Sequence, residues 1–137
     1  ATVNRPVGLV DLAPTFCAIA GLPVPDWMEG KPLPSSDSDA DARGFERSLT
    51  EWDSDLFGVD VHLRTITRDG WVCTTYQAGY SHDGTEGELY RIDDDPLQRV
   101  NLWDDPAYAG VRSDLLADLW DHQPTMTEPL RRVEAPV

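Results

Sequence analysis

Apolar and polar positions alternate along residues 61–68 and 71–77, and the two runs flank Asp69-Gly70, a two-residue turn suited to the twist of a β-hairpin. That turn fixes a register: Arg68 opposite Trp71, Thr67 opposite Val72, Ile66 opposite Cys73 and Leu63 opposite Tyr76. One face then carries Leu63, Val72 and Tyr76, the other Ile66, Trp71 and Cys73, so the sheet needs a layer on each side. Residues 88–92 predict a further strand, with Tyr90 and Ile92 to one side and Leu89 to the other. Asp93-Asp94-Asp95-Pro96 then turns the chain, because Pro96 biases Asp95 away from helical angles and the carboxylates can accept nearby backbone N–H groups. Leu97, Val100 and Leu102 are expected to return to the body, with Asn101 tying down loop backbone. An earlier strand begins near 48–52, and Glu51-Trp52-Asp53 reads as its end, entering a loop with Leu56, Phe57 and Gly58. Residues 78–87 read as a glycine-rich loop.

Helical periodicity brackets these strands. Asp105 and Pro106 predict a capped start with a first-turn proline. Tyr108, Val111, Leu115 and Leu119 form the stripe that follows, flanked by Leu116 and Trp120, while Arg112, Asp114 and Asp118 are expected to face out. Toward the start, Asp11 is a candidate cap for a helix over 11–20 that tolerates Pro14 in its first turn and stops at Gly21. Leu12, Phe16 and Ile19, widened by Ala13, Cys17 and Ala20, leave that helix apolar on more than one side. It is the local candidate to cover the second sheet face. Residues 23–47, with four prolines and the acidic run after Ser35, read as a crossing loop with a solvated, mobile later part, pinned by Trp27 and Met28. Beyond His122 an extended, proline-punctuated tail is expected to wrap the surface. The fold class is α+β: a small antiparallel sheet of about four strands with a C-terminal helix on one face, preceded by a helix and a long loop.

Charge changes the picture of partners. Among 137 residues, 25 acids face 11 bases, a formal net charge of −14, which makes nucleic acid and anionic membrane surfaces poor partners. No apolar run approaches a membrane span. Cys17 and Cys73 lack metal-type spacing and read as small buried hydrophobes, with a disulfide as the alternative. The acidic run lacks the glycine and terminal glutamate of a calcium loop. His62, His82 and His122 occur singly, and neither a nucleophile elbow nor a phosphate loop is present, so no catalytic set or metal site is assigned. His62 shares a face with Arg64 and Ile66 and has a structural role as its default; His82 reads as a solvated loop histidine, and His122 suits the helix dipole.

Two segments carry a family resemblance. Glu88-Leu89-Tyr90-Arg91-Ile92, then Asp95-Pro96 and Asn101-Leu102, resembles the segment near the C-terminus of sulfatases, with Arg91, Ile92 and Gln98 as mild departures from the pattern. Val10-Asp11-Leu12-Ala13-Pro14-Thr15, with Ala20-Gly21, Pro23 and Gly30 to Leu33, is similar to a segment that precedes it in that family. The resemblance implies a sulfate-ester hydrolase that uses a formylglycine made in a C/S-x-P-x-R motif and a calcium ion. Neither cysteine here is followed by that motif, so those groups and the true N-terminus are expected upstream. Under this reading residues 1–47 are the tail of a larger catalytic α/β domain and 48–137 a C-terminal subdomain. The fragment alone is expected to be inactive, its partner being the missing N-terminal catalytic domain. Glu51, Trp52 and His62 are the candidate residues for the rim of a cleft that takes a small sulfate ester. Two alternatives remain: a phosphonate monoester or phosphodiester hydrolase of the same superfamily, and an acidic interaction module without chemistry. An excised piece is further expected to self-associate through its uncovered apolar faces.

Overall fold

A computed structural model describes residues 2–56 and 59–122. Four antiparallel strands, β1 (Arg47–Leu56), β2 (Val59–Arg68), β3 (Trp71–Tyr76) and β4 (Gly87–Arg91), lie side by side in chain order. The expected β2–β3 register holds at every pair named above. Asp69 and Gly70 both take positive φ, 52° and 76°, as this kind of hairpin turn requires. In contrast, β1 does not end at Glu51-Trp52-Asp53: it runs on to Leu56 and pairs with β2 along its whole length, so those three residues sit inside a ladder and not at its end. Phe57 and Gly58 lie outside the described residues. Ile92 falls just past β4, its N–H donated to the Gly70 carbonyl at 2.8 Å.

Helix α3 (Ala109–His122), the last, covers one face of this sheet. Ile66, Cys73 and Leu89 from three adjacent strands meet Leu115 and Leu119, and Leu49, Trp71, Leu102, Trp103, Tyr108, Val111 and Leu116 close around them. Burying each large apolar side chain contributes about 1.5–3 kcal/mol. The Asp105 carboxylate accepts the Ala107 N–H at 2.9 Å, and Pro106 opens the 3-10 turn that leads into α3. Asp118 departs from expectation. Register places Arg47 opposite Arg68 beneath the end of the helix, and both guanidiniums donate to the Asp118 carboxylate, turning it toward the sheet. Arg112 is likewise half-buried, its guanidinium 5.0 Å from the Trp103 ring centre. Asp114 stays exposed and pairs with Arg68.

Asn101 anchors the connection as expected: its Oδ1 accepts the Leu89 and Trp103 N–H groups, both at 3.0 Å, and its Nδ2 donates to the Gly87 carbonyl at 3.0 Å. Leu97 and Val100, by contrast, are 67% and 62% exposed. The Asp95 carboxylate accepts the Arg99 and Val100 N–H groups at 2.6 and 2.9 Å, so the segment folds on itself and points those side chains outward.

The N-terminal part is strapped by polar contacts. Asp11 lies in a 3-10 turn before α1 (Leu12–Ile19); instead of capping that helix, its buried carboxylate accepts the Gly8 and Lys31 N–H groups at 2.8 and 2.9 Å. Thr15 Oγ1 accepts the Leu33 N–H at 2.8 Å. A Cβ on Gly30 would lie 2.1 Å from the Val10 carbonyl oxygen, which explains glycine where the two segments cross. The acidic run is not a solvated loop: Ser36 Oγ accepts the Asp39 N–H and starts α2 (Asp37–Ala42). Within it Asp37 bonds Asn4, Asp39 pairs with Arg43 and Asp41 with Arg5, while Ala40 and nearby Phe45 are buried. α1 packs on the turn before it and does not form the second layer over the sheet. Phe16 and Ile19 are 65% and 78% exposed, and Trp27, expected as a pin, is exposed too.

Candidate functional site

Beyond the apolar core, the helix-covered face of the sheet turns polar. Alternation puts Glu51 and Asp53 of β1 on that face, and the β1–β2 register sets Arg64 opposite Glu51 and His62 opposite Asp53. Arg64 is only 2% exposed and forms the centre of the group. Its two terminal nitrogens bind the two Asp53 oxygens at 3.1 Å each, one of them reaches Glu51 Oε1 at 2.8 Å, and the other donates to the Leu63 carbonyl at 3.0 Å. Such a fork suits guanidinium and would not suit an ammonium group. His62 Nδ1 lies 2.6 Å from Asp53 Oδ1.

Burial pushes the Asp53 carboxyl up, but hydrogen bonding with Arg64, His62 and Glu51 together with the Arg64 charge outweighs it and holds the group at about 2. Asp53 is therefore a carboxylate at neutral pH. With the carboxyl deprotonated, the short contact to His62 requires the proton to sit on Nδ1. At this cluster two buried donors, Arg64 Nε and Gln77 Nε2, find no acceptor among the described residues. Gln77 donates its backbone N–H to the His62 carbonyl at 2.8 Å, continuing the β2–β3 pairing and placing it beside the cluster.

The three residues picked from sequence are thus divided. Glu51 and His62 come together, whereas Trp52 points to the opposite face, 59% exposed, in a row with Leu63 and Tyr76. On that second face Tyr76 donates its hydroxyl hydrogen to Glu88 at 3.1 Å and stacks on His82 at 4.2 Å between ring centres, so His82 is a packed residue and not a solvated one. Asp53 and Arg64, the most constrained members of the cluster, were not picked. The signal for them was present: acids at 51 and 53 and basic residue types at 62 and 64 share one parity once β1 is extended past Asp53. A separate surface cleft of about 320 Å³ lies between α3 and the β2–β3 turn, lined by Trp71, Val111 and Leu115, and its Arg68 is already paired with Asp114. Among the described residues no group of three or more His, Cys, Asp and Glu is placed to hold a metal ion. No described helix is long and apolar enough to cross a membrane.

No family model matches the chain. Over 114 residues it is 30% identical to the Delta 4,5-hexuronate-2-O-sulfatase of Bacteroides thetaiotaomicron, a match covering 82% of this chain and 23% of that protein. Over 131 residues it is 30% identical to the uncharacterized sulfatase YidJ of Escherichia coli K12, covering 94% and 24%. The solved structure of a 2-O GAG sulfatase shares the fold with a TM-score of 0.65 at 30% identity, over 82% of this chain and 23% of that one. The chain is sulfatase-like. A solved structure in complex with its substrate D-glucosamine-2-N,6-O-disulfate shares the fold over 82% of this chain and 23% of that one, with a TM-score of 0.62 at 19% identity. This sulfatase-like chain spans about a quarter of the length of the relatives it matches.

Proposed function

We propose that the chain is the C-terminal portion of a sulfatase that hydrolyses sulfate esters. The observation that carries this reading is 30% identity to two sulfatases across 82% and 94% of the chain while only 23% and 24% of their length is matched. No cysteine or serine in the sequence begins a C/S-x-P-x-R motif, which accords with a nucleophile carried by another part of the protein. The formylglycine and calcium implied by the resemblance do not fit any residue set described above, so no step through them is assigned to this chain. Residues 1–47 would close the larger α/β domain and 48–137 form the C-terminal subdomain, whose Glu51 and His62 border the substrate cleft. Trp52, on the other sheet face, would border it from a different direction or pack against the larger domain.

Substrate charge fits this division of labour. A rim with one buried cation and two carboxylates does not attract an anionic ester by net charge; it orients polar groups of the alcohol portion. The test is a panel of sulfate, phosphate and phosphonate esters given to the protein that carries this chain together with its upstream segment. Sulfate esters are expected to be the preferred substrates, with Glu51→Gln lowering kcat/KM about tenfold for the best of them. Preference for phosphonate monoesters would move the protein to the sister activity. An acidic interaction module is the second reading, favoured by the exposed apolar side chains of Phe16, Ile19 and Trp27.

A further inference from the structure

We infer that the outer edge of β1, between Leu49 and Asp53, takes a further strand from the part of the protein upstream of Ala1, an extended segment with an apolar residue beside Trp52. The inference rests on the reading of the chain as part of a longer sulfatase. Parity along the ladder defines the edge. Gln77 donates its N–H to the His62 carbonyl at 2.8 Å, so His62 turns its backbone groups toward β3, and Val61, Leu63 and Thr65 turn theirs toward β1. Their partners Ser54, Trp52 and Thr50 complete that pairing, which leaves the N–H and C=O groups of Leu49 and Asp53 on the outer side. Among the described residues β1 pairs with no strand but β2, and no backbone group bonds to Leu49 or Asp53 from that side.

The opposite edge of the sheet is closed. Leu102 donates its N–H to the Leu89 carbonyl at 2.9 Å and Asn101 accepts the Leu89 N–H at 3.0 Å, so the chain caps β4 with its own backbone and one amide side chain. β1 lacks the usual protection of an edge: its ten residues include no proline or lysine, and its register with β2 runs without a bulge. Its acids Glu51 and Asp53 are engaged with Arg64 across the ladder. An open edge of this length is a template for strand addition. A second copy is a poor occupant, because β1 holds Glu51, Asp53 and Asp55 against the single base Arg47, and the chain carries a formal charge of −14. An upstream segment is well placed. A Cβ on Gly8 would lie 3.5 Å from Ser48 Oγ, so the chain enters beside the first residues of β1, and only 23% and 24% of the length of its relatives is matched by it. Trp52, 59% exposed within this edge strand, gains cover from an apolar neighbour on the added strand.

Residue-resolved amide exchange, measured on the protein that carries this chain with its upstream segment, compares Leu49 and Asp53 on the outer side with Thr50, Trp52 and Ser54, which bond to β2. An added strand is expected to bring the outer amides to within about tenfold of the inner ones, at every protein concentration. Outer amides that exchange more than about tenfold faster, alternating with slow inner ones, would overturn the inference. Sulfate-ester hydrolysis by the same sample then shows that the sulfatase reading survives that failure. Protection that disappears on dilution would assign the edge to a second copy. Protection that disappears when residues 123–137 are removed would assign it to the part of this chain beyond α3. Either result overturns the upstream occupant.

Discussion

Arg64 illustrates how one residue sets the behaviour of its neighbours. Buried and shared between Asp53 and Glu51, it is the group whose removal takes a buried guanidinium from two carboxylates; breaking such a pair costs about 3–5 kcal/mol. Asp53 gives a pH dependence with a definite sign. Its folded carboxyl is held at about 2, below the ordinary value of 3.8, so the folded state binds the proton less tightly than the unfolded chain. The stabilisation is full above about pH 4 and is lost as pH falls toward 2, roughly 2 kcal/mol in all. Denaturant titrations between pH 2 and 6 should show this acid limb, and Asp53→Asn should flatten it. A second residue-scale test is Gly87→Ala. The added Cβ would lie 2.4 Å from the Trp103 ring, and because that ring also donates its Nε1–H to the Thr85 carbonyl, it cannot withdraw cheaply. A loss of about 1–3 kcal/mol is expected by thermal or chemical unfolding.

At the level of elements, α3 and the β2–β3 hairpin form the stable centre. Leu119, wholly buried against Ile66, Cys73 and Leu89, should cost about 2–5 kcal/mol when replaced by alanine, whereas Trp120→Ala on the outer flank should cost much less. Chemical denaturation of the two variants checks the difference. These elements were legible in the sequence because their signals are local and periodic: Asp69-Gly70 fixes a turn, the turn fixes a register, and the register fixes which side chains share a face. The candidate site was half legible. Reading β1 as ending at Glu51-Trp52-Asp53 hid the parity that joins Asp53 to Glu51 and Arg64 to His62, since polar residues in a strand look like loop until the partner strand supplies their counter-charges. The same reasoning failed for α2, where Asp37, Asp39 and Asp41 suggested a solvated linker but each has a polar partner, and for Leu97 and Val100, which local turn chemistry turns away from the core.

At the scale of the molecule, the sheet has one face under a helix and the other bearing Trp52, Leu63 and Tyr76, while α1 shows Phe16 and Ile19 to solvent. Exposed apolar surface of this kind favours association. The chain by itself should therefore bind a hydrophobic dye and sediment with a concentration-dependent mass, and Phe16→Ser with Ile19→Ser should reduce both. A dye-silent monomer across the same concentrations would mean that these faces need no cover. The central claim, that this sequence completes a sulfatase, is tested most directly by reading the coding sequence immediately upstream of Ala1. The account predicts an open frame that contains a C/S-x-P-x-R motif together with metal-binding carboxylates. A start codon directly before Ala1 would contradict it, leaving a sulfatase-like fold retained without the chemistry.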